Sequence, residues 1–266
     1  MGLITNIGKA HLEGFESEEG VLKAKGELYE YLSIHGGSAI IDGHDPLLLK
    51  KAAETGVETL VTGPHGQLRV SGRIVKQTPF LELELDLNGA VYPLTTKLVG
   101  AYNLQNILLA AGVGLQFGIP AVSMIDAIGS YVPENQRSQF VEGGRNRVIM
   151  DSYNANPSSM REAIQGLLSY ATPPTMLILG DMAELGDSSL EEHRELVRWI
   201  GTLSIDRVLL TGPLFSEVYE PSPRMDIFGG RSDLEAYLDM EKPEGYHILV
   251  KGSRIMELER LMPLIY

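Results

Sequence analysis

In the second half of the chain, short apolar runs alternate with amphipathic stretches. The runs RVIM, MLIL, RVLL, MDIF and HILV begin at Arg147, Met176, Arg207, Met225 and His247. Each has the length of a buried strand. Between and after them, apolar residues recur at helical spacing over 157–170, 189–203, 214–219, 233–240 and 254–261. Strand and helix in alternation predict a doubly wound, Rossmann-like parallel sheet from about Arg137 onward. Ser188 with Glu191, and Ser232 with Glu235, have the spacing of capping boxes.

The first half reads differently. A strand is expected over Leu3–Ile7 and a helix over Ser17–Leu32, with Glu18 and Glu19 in its first turn. A strand at Ala39–Ile41, a helix at Pro46–Glu54 and a strand at Thr59–Thr62 follow. From Gln67 to Leu98 the runs LRVSGRIV, FLELELDL and AVYPLTT alternate apolar and polar residues, the pattern of an antiparallel meander. Leu104, Ile107, Leu108, Ala111 and Leu115 then mark a helix that Gly118 and Pro120 end. A short helix over Ala121–Ile128 precedes Tyr131-Val132-Pro133-Glu134-Asn135, the best linker candidate. The fold class is therefore α/β: a mixed sheet with helices and a β-meander, then a doubly wound domain, divided as 1–133 and 134–266.

Composition narrows the partners. The 266 residues suffice for two cores. Acids outnumber bases 35 to 22, a formal charge of −13. That argues against nucleic acid or an anionic membrane as the main partner. Cysteine is absent, which excludes disulfides and thiolate zinc sites and suits the cytosol. No apolar run approaches the ~20 residues of a membrane span. The opening GLITNIG reads as an interior strand almost at residue 1, as if the chain began inside a larger protein.

Three places carry candidate chemistry. The first is RVIMDSYNANPSSMREAI, from Arg147 to Ile164. It reads as strand, polar turn and helix, with Asn156 as N-cap and Pro157 in the first turn. Turns at the carboxyl ends of parallel strands are where ligands bind. A capping turn needs only Asn156 and Pro157, so Asp151, Tyr153 and Asn154 are surplus to it. An acid with amides suits a ribose, a metal-bound water or a peptide-like group. The second is Lys25, on the apolar stripe of Val21, Leu28 and Leu32. A lysine there snorkels to water, or loses its proton and becomes a nucleophilic amine able to take up carbon dioxide as a carbamate. By itself the pattern favours snorkelling. The third is Asn103 and Asn106, three apart on one helix face. Amides pair well with an adenine edge, although a helix cap accounts for a lone pair of asparagines. No GxGxxG follows the first strand, so a dinucleotide fold is unsupported.

Five stretches resemble one family, in order along the chain: ITNIGKAHLEGF with KAKGEL, GAYNLQN, DSYNANPSSM, LGDMAELG and KGSR. They resemble the Mur ligases of peptidoglycan synthesis. YNANP and GDMAELG point to the branch that joins D-alanyl-D-alanine to UDP-N-acetylmuramoyl-tripeptide. The resemblance implies a cytoplasmic ATP- and Mg2+-dependent amide ligase, monomeric at full length, working through an acyl phosphate, with no nucleic acid partner and no membrane insertion. It implies that His11 binds magnesium and that Lys25 is carbamylated and meets the same metal, which reverses the snorkelling preference. It places Asn103 and Asn106 against adenine, Arg137 toward nucleotide phosphate, Asp151 near the ribose, and Asn154, Asn156 and Ser253 near the peptide and amine substrates. Residues 1–133 would be a partial central ATP-binding domain and 134–266 the C-terminal ligase domain.

Two departures stand out. Tyr102 replaces the family's usual histidine. The GxxGKT phosphate loop and the domain that holds the UDP-sugar have no counterpart, so the chain alone is expected to be inactive. Two alternatives are a non-catalytic nucleotide- or substrate-binding module, and a sibling such as folylpolyglutamate synthetase, against which YNANP argues.

Overall fold

The computed structural model describes every residue except Lys9, Ala10, His11, Glu16 and Asn135. The chain forms two compact units, Met1–Tyr131 and Val132–Tyr266.

The first unit is built on a six-stranded sheet in sequential order: β1 Gly2–Leu3, β2 Ser38–Asp42, β3 Glu58–Gly63, β4 Leu68–Gln77, β5 Phe80–Leu87 and β6 Ala90–Val99. β1 to β4 pair in parallel, and β4, β5 and β6 pair antiparallel, the expected meander. After the short helix α1 (Leu12–Phe15) come α2 (Glu18–Ile34) and α3 (Pro46–Thr55). They cover the face of β2 that carries Ala39 and Ile41, while Ile40 points to the other face, toward Leu109 of α4 (Asn103–Gln116). This is the period-2 alternation of a strand buried on both sides. The meander's apolar face, with Val70, Leu83, Leu85 and Leu94, packs under α4 and α5 (Ala121–Ser130).

Local chemistry sets the helix starts. Ser17 caps α2 by accepting from Gly20 N, and Asp45 caps α3 by accepting from Leu47 N and Leu48 N. The expected strand over Leu3–Ile7 is shorter than its apolar pattern suggested. Only Gly2 and Leu3 pair with β2, and Ile4 turns into the core beside Tyr29 instead of continuing the ladder.

The second unit has the strand order β11-β10-β9-β12-β8-β7. Here β7 is Gln139–Val141, β8 Arg147–Asp151, β9 Thr175–Gly180, β10 Arg207–Thr211, β11 Met225–Phe228 and β12 His247–Lys251. All pairs are parallel except β7 with β8, an antiparallel edge strand that the apolar-run pattern did not reveal. The helices are α6 (Pro157–Leu168), α7 (Ser189–Gly201), α8 (Pro213–Val218), α9 (Arg231–Glu241) and α10 (Met262–Ile265). Val148, Met150, Ile178, Leu209, Ile248 and Val250 face α9 and the C-terminal turns.

Three local expectations are corrected. Ser188 is the N-cap of α7, but its hydroxyl donates to Leu185 O, so no capping box forms. Ser232 lies inside α9, which starts after Gly230, and Glu235 pairs with Arg231 at 2.9 Å. The helix expected over 254–261 is two 3-10 turns, separated where Glu257 takes φ 48°. Among the described residues, no helix is long and apolar enough to cross a membrane.

Candidate functional site

In the first unit, the polar groups gather where β2 ends and α4 begins. Asp42, the last residue of β2, is buried. It accepts from His44 N at 3.0 Å, from His44 Nδ1 at 3.1 Å and from Gln105 Nε2. Burial pushes its carboxyl up, but these hydrogen bonds outweigh burial and hold it below the ordinary range. The contact with Gln105 ties the first turn of α4 to the sheet.

Asn103 and Asn106 share a face, as their spacing requires, but play different parts. Asn103 is buried, and its Nδ2 donates to Val99 O at 2.9 Å. A carbonyl oxygen only accepts, so this bond fixes which way the Asn103 amide points. Its Oδ1 then accepts from Asn106 Nδ2 at 3.2 Å. Asn106 is exposed, and with its Nδ2 on Asn103 its own carbonyl oxygen is the end directed away from that contact. Tyr102 precedes α4 in helical conformation and gives it no side-chain cap.

Lys25 is half-buried on α2, and its Nζ donates to Asn6 O at 2.9 Å. Burial lowers its pKa. A larger share of neutral amine at a given pH is what carbamylation requires. His11 lies outside the described residues. Among the described residues, no three His, Cys, Asp or Glu side chains come together as a metal cluster.

In the second unit, the strand ends carry most of the remaining candidates. Asp151 closes β8 opposite Lys251 of β12. Its carboxylate accepts from Lys251 Nζ at 2.6 Å and from Ser138 N at 3.0 Å. Lys251 donates as well to Asn154 O at 3.0 Å, so one buried ammonium holds both the acid and the turn after it. Asn154 Oδ1 accepts from Ala155 N at 2.8 Å. Asn156 is the expected N-cap: its Oδ1 accepts from Ser159 N at 2.9 Å, and Ser159 Oγ serves Asn156 N at 3.1 Å. The Asn156 carbonyl oxygen is thus committed to the helix.

Ser253 is buried, and its amide donates to Asp181 O at 3.0 Å. Asp181 follows β9 in the GDMAELG stretch. Its two carboxylate oxygens accept from Leu214 N and Phe215 N at 2.9 Å each, capping α8 from a neighbouring strand end. A Cβ on Gly212 would lie 2.4 Å from that carboxyl carbon, and Gly212 has φ 124°, so glycine is needed on both counts. His193 is fully buried. Its Nε2 accepts from Met182 N at 3.0 Å and its Nδ1 meets Ser189 O at 2.7 Å, so the proton sits on Nδ1. Asp181 approaches Nε2 at 3.8 Å and would favour a charged ring, but burial is the larger effect and lowers the pKa.

Arg137 is exposed, with its guanidinium carbon 4.0 Å from the centre of the Tyr153 ring; Arg254 reaches the same ring at 5.3 Å. Hydrogen bonding and charge from Arg137, then charge from Arg254, hold the Tyr153 phenol below its ordinary range. Sequence reasoning picked out Arg137 and Tyr153 but gave no role to Arg254, Lys251, Asp42, Gln105, Asp181 or His193. Lys251 and Arg254 stand in the KGSR stretch, which was the available signal for them. Asp181 stands in the GDMAELG stretch, which was its signal, whereas Asp42, Gln105 and His193 become visible only through their partners.

Comparison with known proteins places these units in a family context. Residues 1–114 match the Mur ligase middle domain, and residues 136–254 match the Mur ligase glutamate ligase domain. The UDP-N-acetylmuramoyl-tripeptide–D-alanyl-D-alanine ligase of Bacillus subtilis is 30% identical over 272 residues, covering 98% of this chain and 58% of its own length. A crystal structure of MurF from Acinetobacter baumannii superposes with a TM-score of 0.85 at 27% identity, covering 99% of this chain and 58% of that one. MurF of Thermotoga maritima, solved in complex with ADP, shares the fold with a TM-score of 0.82 at 22% identity, covering 99% and 60%. The chain therefore spans a little under three fifths of the B. subtilis and A. baumannii relatives.

Proposed function

The chain belongs to the Mur ligase family, and we propose that it supplies the middle and glutamate-ligase portions of an enzyme that joins D-alanyl-D-alanine to UDP-N-acetylmuramoyl-tripeptide. One observation carries this reading. A single ligase aligns along 98% of the chain, through both family domains, in one order. An isolated motif match would not extend so far.

In the proposed reaction, ATP phosphorylates the terminal carboxylate of the peptide, giving an acyl phosphate and ADP. The amine of D-alanyl-D-alanine attacks the acyl carbon, and the tetrahedral intermediate expels phosphate to leave the amide. Catalysis of this kind rests on positioning and on neutralising phosphate charge. We assign adenine to Asn106, oriented by Asn103. Asp151 keeps acceptor capacity beyond Lys251 and Ser138 for a ribose hydroxyl. Arg137 takes nucleotide phosphate. Asn154, Asn156 and Ser253 belong to the peptide and amine side. Lys25, as its carbamate, and His11 are the catalytic pair that would hold Mg2+, which when bound neutralises phosphate oxygens. The depressed pKa of Lys25 supports the carbamate. We place the enzyme in the cytoplasm, as a monomer at full length, with 1–133 and 134–266 as its domains.

The sequence contains no GKS or GKT phosphate loop, so the chain by itself is expected neither to hydrolyse ATP nor to ligate. The test is a chimera in which the preceding part of the B. subtilis ligase is joined to this chain. It should form the pentapeptide product with ATP and Mg2+. A chimera that folds and binds ATP but ligates only glutamate to a folate, or nothing, would overturn the proposal.

A further inference from the structure

We propose that Arg137 and Arg254, both seated on Tyr153, form a two-guanidinium clamp for an oxyanion, a phosphoryl or carboxylate group, and that Arg254 is a binding residue of equal standing with Arg137. The use of the clamp in ligation rests on the function proposed above; its binding of an oxyanion does not.

Three loops at one edge of the C-terminal sheet build it. Tyr153 stands two residues beyond β8 and Arg254 three beyond β12, and β8 and β12 are neighbours. Arg137 stands just ahead of β7, which pairs with β8 on the other side. The guanidinium carbons lie 4.0 Å and 5.3 Å from one ring centre, and both guanidiniums act on the same phenol through hydrogen bonding and charge, so two positive charges share one aromatic anchor.

Among the described residues, neither guanidinium forms an ion pair with a carboxylate. Two acids of the adjoining strand ends and turns are engaged elsewhere: Asp151 with Lys251 at 2.6 Å, and Glu257 with Arg231 at 2.5 Å and Arg260 at 3.3 Å. Glu259 leans toward Ser152. In a chain with 35 acids to 22 bases, two guanidiniums on one ring without an ion pair among the described residues run against the overall charge. An anion that meets both of them relieves their mutual repulsion. Stacking on a ring occupies the face of a guanidinium and leaves N–H groups on its rim. Those donors match the paired oxygens of a phosphoryl or carboxylate group. Tyr153 keeps the two forks close, and its phenol reports on them because both arginines shift its titration downward.

The test uses the whole chain with tyrosine labelled at the ring carbon bearing the hydroxyl, titrated with inorganic phosphate, with acetate and with D-alanyl-D-alanine. The Tyr153 signal, assigned by its loss in Tyr153→Phe, should move saturably. Arg254→Gln should weaken that response roughly tenfold or more, and Arg137→Gln by a similar factor. Arg254→Lys, which keeps the charge but loses the fork, should fall between. A phosphate response without a dipeptide response assigns the phosphoryl group, and the reverse assigns the carboxylate. An Arg254→Gln protein with native spectra and an unchanged titration would overturn the clamp, as would a response that survives in the double variant. Arg254-dependent binding in a chain whose chimera fails to ligate would leave the clamp standing and sink the ligase reading.

Discussion

Lys251 and Asp151 face each other across the last rung of the β8–β12 ladder, with 2.6 Å between Nζ and Oδ2 and side chains only 3% and 13% exposed. Removing one partner of such a pair leaves the other charge buried without compensation. Lys251→Met should cost about 3–5 kcal/mol of unfolding free energy, read from urea denaturation. Asp151→Asn should cost less, because Ser138 N still has an acceptor. The double variant should recover part of the loss. A double-mutant cycle with no coupling would show that the pair is structurally idle.

His193 predicts a pH dependence of stability. Its pKa in the folded chain lies below the ordinary histidine value of 6.5, mainly because of burial. The unfolded chain therefore binds a proton first as pH falls through 6.5, while the folded chain resists it. Stability contributed by neutral His193 is present above 6.5 and declines as pH drops from there toward the folded pKa. His247 is lowered in the same direction, by burial and then by Arg147, and adds to the slope. His193→Gln, which still offers Met182 N an acceptor, should flatten the fall in thermal midpoint between neutral pH and mildly acid pH. An unchanged slope would exclude His193 as its source.

Lys25 should take up carbon dioxide. With labelled bicarbonate under mildly alkaline conditions, a carbamate carbon signal should appear in the wild-type chain and be missing in Lys25→Ala. In the chimera, Lys25→Ala should abolish ligation, and short carboxylates should restore part of it. A fully active Lys25→Ala chimera would refute the assignment.

The amide relay from Val99 O through Asn103 to Asn106 should set nucleotide preference under the proposed reading. An outward acceptor welcomes the amino group of adenine and repels the carbonyl of guanine. Asn103→Leu frees Asn106 to turn over. Saturation-transfer spectra should then show weaker ADP binding and a narrower ADP-to-GDP preference. An unchanged ratio would mean that Asn103 has no orienting part.

The proposed division into 1–133 and 134–266 predicts that the second portion folds alone. Limited proteolysis should leave a resistant fragment starting near Glu134, and that fragment should unfold cooperatively. Digestion without such a fragment would contradict the division.

Periodicity determined much of the architecture. The runs at Arg147, Met176, Arg207, Met225 and His247 are strands; the four interior ones are apolar through their centres because a strand buried on both faces has to be, and the run at Met225 is an edge strand. Asn156 and Pro157 marked the start of α6, because capping is a contact between near neighbours in sequence. Tertiary structure alone decided the rest. β7 was hidden because an edge strand of three half-buried residues carries little apolar signal. Leu3–Ile7 looked like a strand, but pairing with β2 lasts two residues, and pairing depends on a partner 37 residues away. Likewise Asp42 with Gln105, Asp181 with the amides of α8, and Asp151 with Lys251 join residues far apart in the chain. A carboxylate's role depends on what stands within 3 Å of it, and only folding brings those groups together.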